Sequence, residues 1–87
     1  MSYRVETIER FDRAVAKLDR GTALRILKAL ASLAELDDPA CRCRPLTGPL
    51  AGLWRMRVGD YRVILDIRRT ELVIIALDAG NRDSIYD

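Results

Sequence analysis

Histidine is absent from this chain, lysine occurs only at Lys17 and Lys28, and no apolar run approaches the roughly 18 to 20 residues of a membrane span. Without histidine the commonest general base is missing, and with it every Ser-His or Cys-His nucleophile arrangement. Cysteine is scarce too. Cys41 and Cys43 are separated by one residue, a spacing that suits neither an ordinary intrachain disulfide nor, with no histidine to help, a four-ligand zinc site. They are read as incidental, and no metal or organic cofactor is implied. Residues 1–6 lack the apolar region of a secretion signal, so the chain is expected to stay in the cytoplasm, away from any membrane. Its 87 residues leave room for a single domain spanning 1–87, and an apolar fraction of 49% suffices for one hydrophobic core.

What is present in quantity is arginine. The formal net charge is only +2, from 15 basic and 13 acidic residues, so the overall field argues weakly for a nucleic-acid partner. The distribution says more. Arg42, Arg44, Arg55, Arg57, Arg62, Arg68 and Arg69 stand between positions 42 and 69 against Asp60 and Asp66 alone. Arginine's planar fork suits bidentate phosphate contacts, while its very high pKa makes it a poor proton acceptor.

Periodicity orders the elements. Tyr3 and Val5 alternate with polar neighbours, which predicts a short strand over residues 2–6, and Thr7 offers a hydroxyl cap for a helix. Ile8, Phe11, Val15 and Leu18 fall at helical spacing up to Gly21, where a left-handed turn is expected to close the helix. From Thr22 to about Leu36 a second stripe, Ala23, Ile26, Leu27, Leu30, Leu33 and Ala34, predicts a second helix packed back on the first. Pro39, Pro45, Gly48, Pro49 and Gly52 predict an irregular loop as far as Leu53.

Gly59-Asp60, flanked by period-two alternation, reads as the two-residue turn of a β-hairpin. In that register Val58 faces Tyr61, Arg57 faces Arg62, Met56 faces Val63, Arg55 faces Ile64 and Trp54 faces Leu65. Trp54, Met56, Val58, Tyr61, Val63 and Leu65 then line the core face, and Arg55, Arg57 and Arg62 share the other. Like charges directly opposed across two strands are unfavourable, and a bound polyanion would turn that repulsion into attraction. The competing reading is a solvated sheet face neutralised by Asp66 or another carboxylate. Residues 71–79, apolar on both faces, predict an interior strand. The whole is an α+β fold in the order strand-helix-helix-strand-strand-strand, a helical hairpin on a small, mostly antiparallel twisted sheet.

The helical hairpin, the run Pro45-Leu46-Thr47-Gly48-Pro49-Leu50-Ala51-Gly52-Leu53-Trp54-Arg55-Met56-Arg57-Val58-Gly59-Asp60-Tyr61-Arg62-Val63-Ile64, and the close Gly80-Asn81-Arg82-Asp83-Ser84-Ile85-Tyr86 together resemble the RelE/ParE toxin superfamily. The resemblance spans nearly the whole chain. It implies a toxin held inactive by a partner antitoxin protein that covers the basic surface. In the RelE branch it implies cleavage of mRNA in the ribosomal A site, the 2′-hydroxyl attacking the adjacent phosphate. Arg62 and Arg82 match the family's phosphate-stabilising arginines. Tyr86 matches its terminal tyrosine, a group for base stacking or proton transfer, with an ordinary structural role as the alternative. Arg55 and Arg57 occupy RNA-binding positions where relatives often carry lysine or arginine, and Asn81 stands where many carry histidine. In the ParE branch the same fold implies a non-catalytic inhibitor of DNA gyrase. A third possibility is a member that binds only its antitoxin and operator DNA.

Overall fold

The computed structural model describes residues 2–81. Strand β1 (Arg4–Thr7) leads into helices α1 (Glu9–Ala16) and α2 (Arg20–Ala34). A short two-residue strand β2 (Arg44–Pro45) precedes β3 (Trp54–Val58), β4 (Tyr61–Arg68) and β5 (Val73–Asn81). The sheet runs β1-β5-β4-β3-β2, parallel between β1 and β5 and antiparallel elsewhere. This is the expected α+β order with one addition: Arg44–Pro45, expected to be loop, pairs with Arg55 and Trp54 at the sheet edge. No helix among the described residues is long and apolar enough to cross a membrane.

The helix ends differ from the sequence reading, each for a local reason. Thr7 does not cap α1. It remains in β1 opposite Ala76, and the helix starts after Ile8 with no side-chain cap. Gly21 is not a left-handed stop but lies in the first turn of α2. Asp19 accounts for this, accepting hydrogen bonds from the Thr22 backbone N–H (3.0 Å) and hydroxyl (2.6 Å), so the chain is captured as a new helix start. Those bonds hold the Asp19 carboxyl below its ordinary pKa, the Thr22 hydroxyl contributing most. A carboxyl depressed in the folded state stabilises above its unfolded pKa and loses that contribution as pH falls through the folded value. Asp19→Ala should therefore lower the melting temperature at neutral pH, and the gap from the wild type should close under strongly acidic conditions; thermal melts across pH check this.

The core lies between the helices and one sheet face, around Phe11, Ile26, Leu30, Met56, Val63, Leu65, Ile74 and Ala76. Three residues assigned to the helical stripes are outside it: Ala23 is half-buried away from the cluster, Ile8 is 41% and Leu27 45% exposed. Ile8 sits at the helix entrance, and Leu27 shares the outer side of α2 with Leu24, three residues away.

The β3–β4 register is the one the sequence implies, pair by pair, from Trp54 opposite Leu65 to Val58 opposite Tyr61. Gly59 takes φ +60°, the left-handed value required at the first central position of such a turn. Arg25 of α2 rests against it where a Cβ would stand. Gly59→Ala should cost about 1–2 kcal/mol from the backbone alone, read from the urea midpoint.

Strand β5 contains an irregularity that hydropathy did not reveal. Ile64 pairs with Asp78 but Leu65 pairs with Ala76, so Leu77 is an extra residue, a bulge. Ile74 and Ala76 face the helices before it, and Ala79 does so after it. The parity shift keeps Asp78 out of the core. Asp78 instead accepts a hydrogen bond from Arg10 Nε at 3.1 Å.

Candidate functional site

On the face of the sheet away from the core, side chains alternate outward at Arg55 and Arg57 on β3 and at Arg62 on β4. The register places Arg57 directly opposite Arg62, as expected, and places Arg44 of β2 directly opposite Arg55. Two like-charged cross-strand pairs thus sit side by side on three neighbouring strands. Each is unfavourable by several tenths of a kcal/mol in the range typical of such pairs. Arg42, from the short helical turn Pro39–Arg42, completes the group.

These five arginines, Arg42, Arg44, Arg55, Arg57 and Arg62, line a cavity of about 310 Å³, and no carboxylate lines it among the described residues. Arg62 is half-buried, with its Nη1 nitrogen enclosed, whereas Arg57 is exposed. Arg57 Nε donates to the Gly59 carbonyl at 3.2 Å, fixing the side chain beside the hairpin turn and leaving its terminal nitrogens for other acceptors. Gly80 faces Arg62 from β5, so no side chain from that position crowds the guanidinium.

Asp66, the carboxylate named as a neutralising group for this face, accepts from Arg68 Nε at 3.1 Å, and this bond raises the Arg68 pKa. Asp78 of β5 is bonded to Arg10. A cavity walled by guanidinium groups can hold phosphate oxygens and stabilise added negative charge on phosphorus, but arginine cannot serve as the base that removes a proton. Trp54 and Tyr61 pack against the core, which agrees with their reading as structural residues. Of the sequence-derived site, Arg55, Arg57 and Arg62 are brought together; Arg82 and Tyr86 lie outside the described residues.

Sequence reasoning missed Arg42 and Arg44 as site members. Both were counted in the arginine excess, but a two-residue strand is too short for alternation to show which face a side chain takes. Beside them, Cys43 is half-buried, its thiol directed at the Pro39 carbonyl, and burial pushes its pKa up to about 11. Cys41 is exposed. A thiol-alkylating reagent at mildly alkaline pH should therefore modify Cys41 and leave Cys43 largely unreacted, as peptide mass mapping would show. No group of three or more His, Cys, Asp or Glu is placed to hold a metal among the described residues.

A helix pair on a five-stranded mixed sheet, with an arginine-lined cavity on the face away from the helices, defines a class of small α+β proteins. Residues 5–86 match the family model for the ParE toxin of type II toxin-antitoxin systems, and the chain belongs to that family, within the RelE/ParE toxin superfamily. Solved structures agree. The RelE-RelB complex of Pyrococcus horikoshii OT3 contains a chain 30% identical to this one, with a TM-score of 0.75 over 98% of this chain and 100% of that one. The toxin-antitoxin complex RelBE2 of Mycobacterium tuberculosis contains one 28% identical, with a TM-score of 0.73 over 94% and 100%. The E. coli toxin RelE, solved as a mutant in the free state, shares the fold at 20% identity, with a TM-score of 0.74 over 97% and 88%. No curated protein matches the chain significantly.

Proposed function

We propose that the chain is a cytoplasmic toxin that cleaves mRNA on the ribosome and is restrained by a cognate antitoxin protein covering its arginine face. The observation that carries this reading is the convergence of two opposed arginine pairs, Arg44 with Arg55 and Arg57 with Arg62, on one cavity that Arg42 also lines. Such a concentration of guanidinium groups is favourable around a phosphodiester. In the proposed reaction the RNA 2′-oxygen bonds to the adjacent phosphorus as it loses its proton. The bond from phosphorus to the 5′-oxygen breaks, and that oxygen takes up a proton. The products are a 2′,3′-cyclic phosphate and a free 5′-hydroxyl. Arg62 stabilises the pentavalent phosphate, with Arg82 as a second guanidinium, while Arg55 and Arg57 hold the RNA backbone. Tyr86 is the side chain assigned to proton transfer or base stacking. The antitoxin partner is supported by the M. tuberculosis relative, solved as a toxin-antitoxin complex, and by the P. horikoshii relative, solved as a RelE-RelB complex.

The match to the ParE family favours a second reading, a non-catalytic inhibitor of DNA gyrase that engages its target through the same face. Two parallel assays separate them. Purified toxin should halt translation in a reconstituted system with shortening of the mRNA, and should leave gyrase supercoiling unaffected. Inhibited supercoiling with intact mRNA would transfer the assignment to gyrase.

A further inference from the structure

A second cavity, of about 330 Å³, adjoins the arginine cavity and shares Arg42 and Arg57 with it. Its character is different. Ala29, Leu36 and Met56 give it an apolar floor between α2 and β3, and Ser32 places one hydroxyl on its wall. The groove exists because β2 covers only Trp54 and Arg55, leaving β3 without a neighbouring strand on that side from Met56 onward. In a two-residue hairpin closed by Val58 and Tyr61, the Arg57 backbone N–H and C=O point away from β4, towards this open edge.

We infer that this groove is a nucleobase subsite: it takes one unstacked base of the single-stranded RNA whose phosphate lies in the arginine cavity. The inference rests on the RNA-cleaving reading and adds a determinant of base preference to it. A flat, mostly apolar ring with polar edges fits an apolar floor bordered by one hydroxyl and one backbone donor-acceptor pair. Continuity through Arg42 and Arg57 keeps the base next to its own phosphate. An added peptide strand fits less well. The open edge offers the outward N–H and C=O of Arg57 alone between the end of β2 and the turn, whereas strand addition draws its affinity from a row of such groups. Aliphatic side chains make this a weaker stacking surface than an aromatic one, so omission of the base should weaken binding on the order of tenfold, the lower end of base-stacking effects.

The test is fluorescence anisotropy at low salt with short labelled single-stranded oligoribonucleotides, intact or with one abasic position moved along the strand. The proteins are wild type, Ala29→Leu, which fills the groove, Ser32→Ala, which removes its hydroxyl, and Arg62→Ala, with circular dichroism melts to confirm folding. The expected result is a roughly tenfold loss for one abasic position in wild type, abolished in Ala29→Leu. Ser32→Ala should alter the ranking among the four bases, and Arg62→Ala should weaken all oligonucleotides alike. Equal binding of intact and abasic strands, with Arg62→Ala still weakening both, would overturn the subsite while leaving the arginine cavity as the RNA site. A base preference that survives in folded Ala29→Leu would also overturn it. Loss of antitoxin binding in that variant with unchanged RNA binding would make the groove a peptide site instead. Absence of any RNA binding by wild type would overturn both the subsite and the reading beneath it.

Discussion

Arg62→Ala should abolish growth arrest and reduce mRNA cleavage by about 10²- to 10³-fold, the usual consequence of removing one preorganised donor to a charged transition state. Two features of its position set this expectation. Arg62 is the half-buried member of the Arg57–Arg62 pair, with one terminal nitrogen enclosed, so its charge acts through less water than that of an exposed arginine. It also sits opposite Gly80, where no side chain from β5 competes for the space. The fold should tolerate the loss, because removing Arg62 also removes the like charge facing Arg57. Measured together, the melting temperature should move by a few degrees at most while cleavage collapses. A variant that retains full growth arrest would count heavily against the site.

The second large effect belongs to the core. Phe11 is the one aromatic side chain that α1 buries, and it is almost fully enclosed. Phe11→Ala should cost about 3–5 kcal/mol, the typical penalty for emptying a buried aromatic site. Native domains are stable by only about 5–15 kcal/mol in total, so a small domain of this kind loses most of its margin. The urea midpoint should fall sharply, and growth arrest should weaken through a fall in folded protein, with the arginine cavity unaltered in the molecules that remain folded. This separates the variant from Arg62→Ala, whose folded fraction should be unchanged.

The hairpin was legible in the sequence for a physical reason. Gly59-Asp60 fixes a turn, the turn fixes the register, and the register determines which side chains share a face, so Arg57 opposite Arg62 followed from a dipeptide and a period of two. Elsewhere local signals competed. Asp19 and Gly21 could end one helix or begin the next, and the Thr22 hydroxyl decides for the second by bonding to Asp19. Leu27 satisfied the helical spacing, but a helix lying on a sheet buries a narrower stripe than that spacing allowed, leaving Leu27 and Leu24 outside. The bulge at Leu77 was hidden because the run Leu72–Leu77 leading into it is apolar throughout, and alternation is uninformative where either parity is acceptable; Asp78 was the one local sign of a parity change. Arg44 was missed because its placement depends on pairing with Arg55, eleven positions away, across a loop whose path is not encoded in local pattern.

The central claim is that the arginine cavity handles an RNA phosphate during strand cleavage. Its most direct test uses purified toxin, ribosomes programmed with a defined mRNA, and primer extension to map the new 5′ ends, with the Arg62→Ala protein in parallel. The expected result is cuts within the codon in the A site, each leaving a 5′-hydroxyl end, and none with the variant. Intact mRNA, under conditions where the wild-type toxin still arrests growth, would contradict the claim and make the five-arginine cavity a binding surface without catalysis.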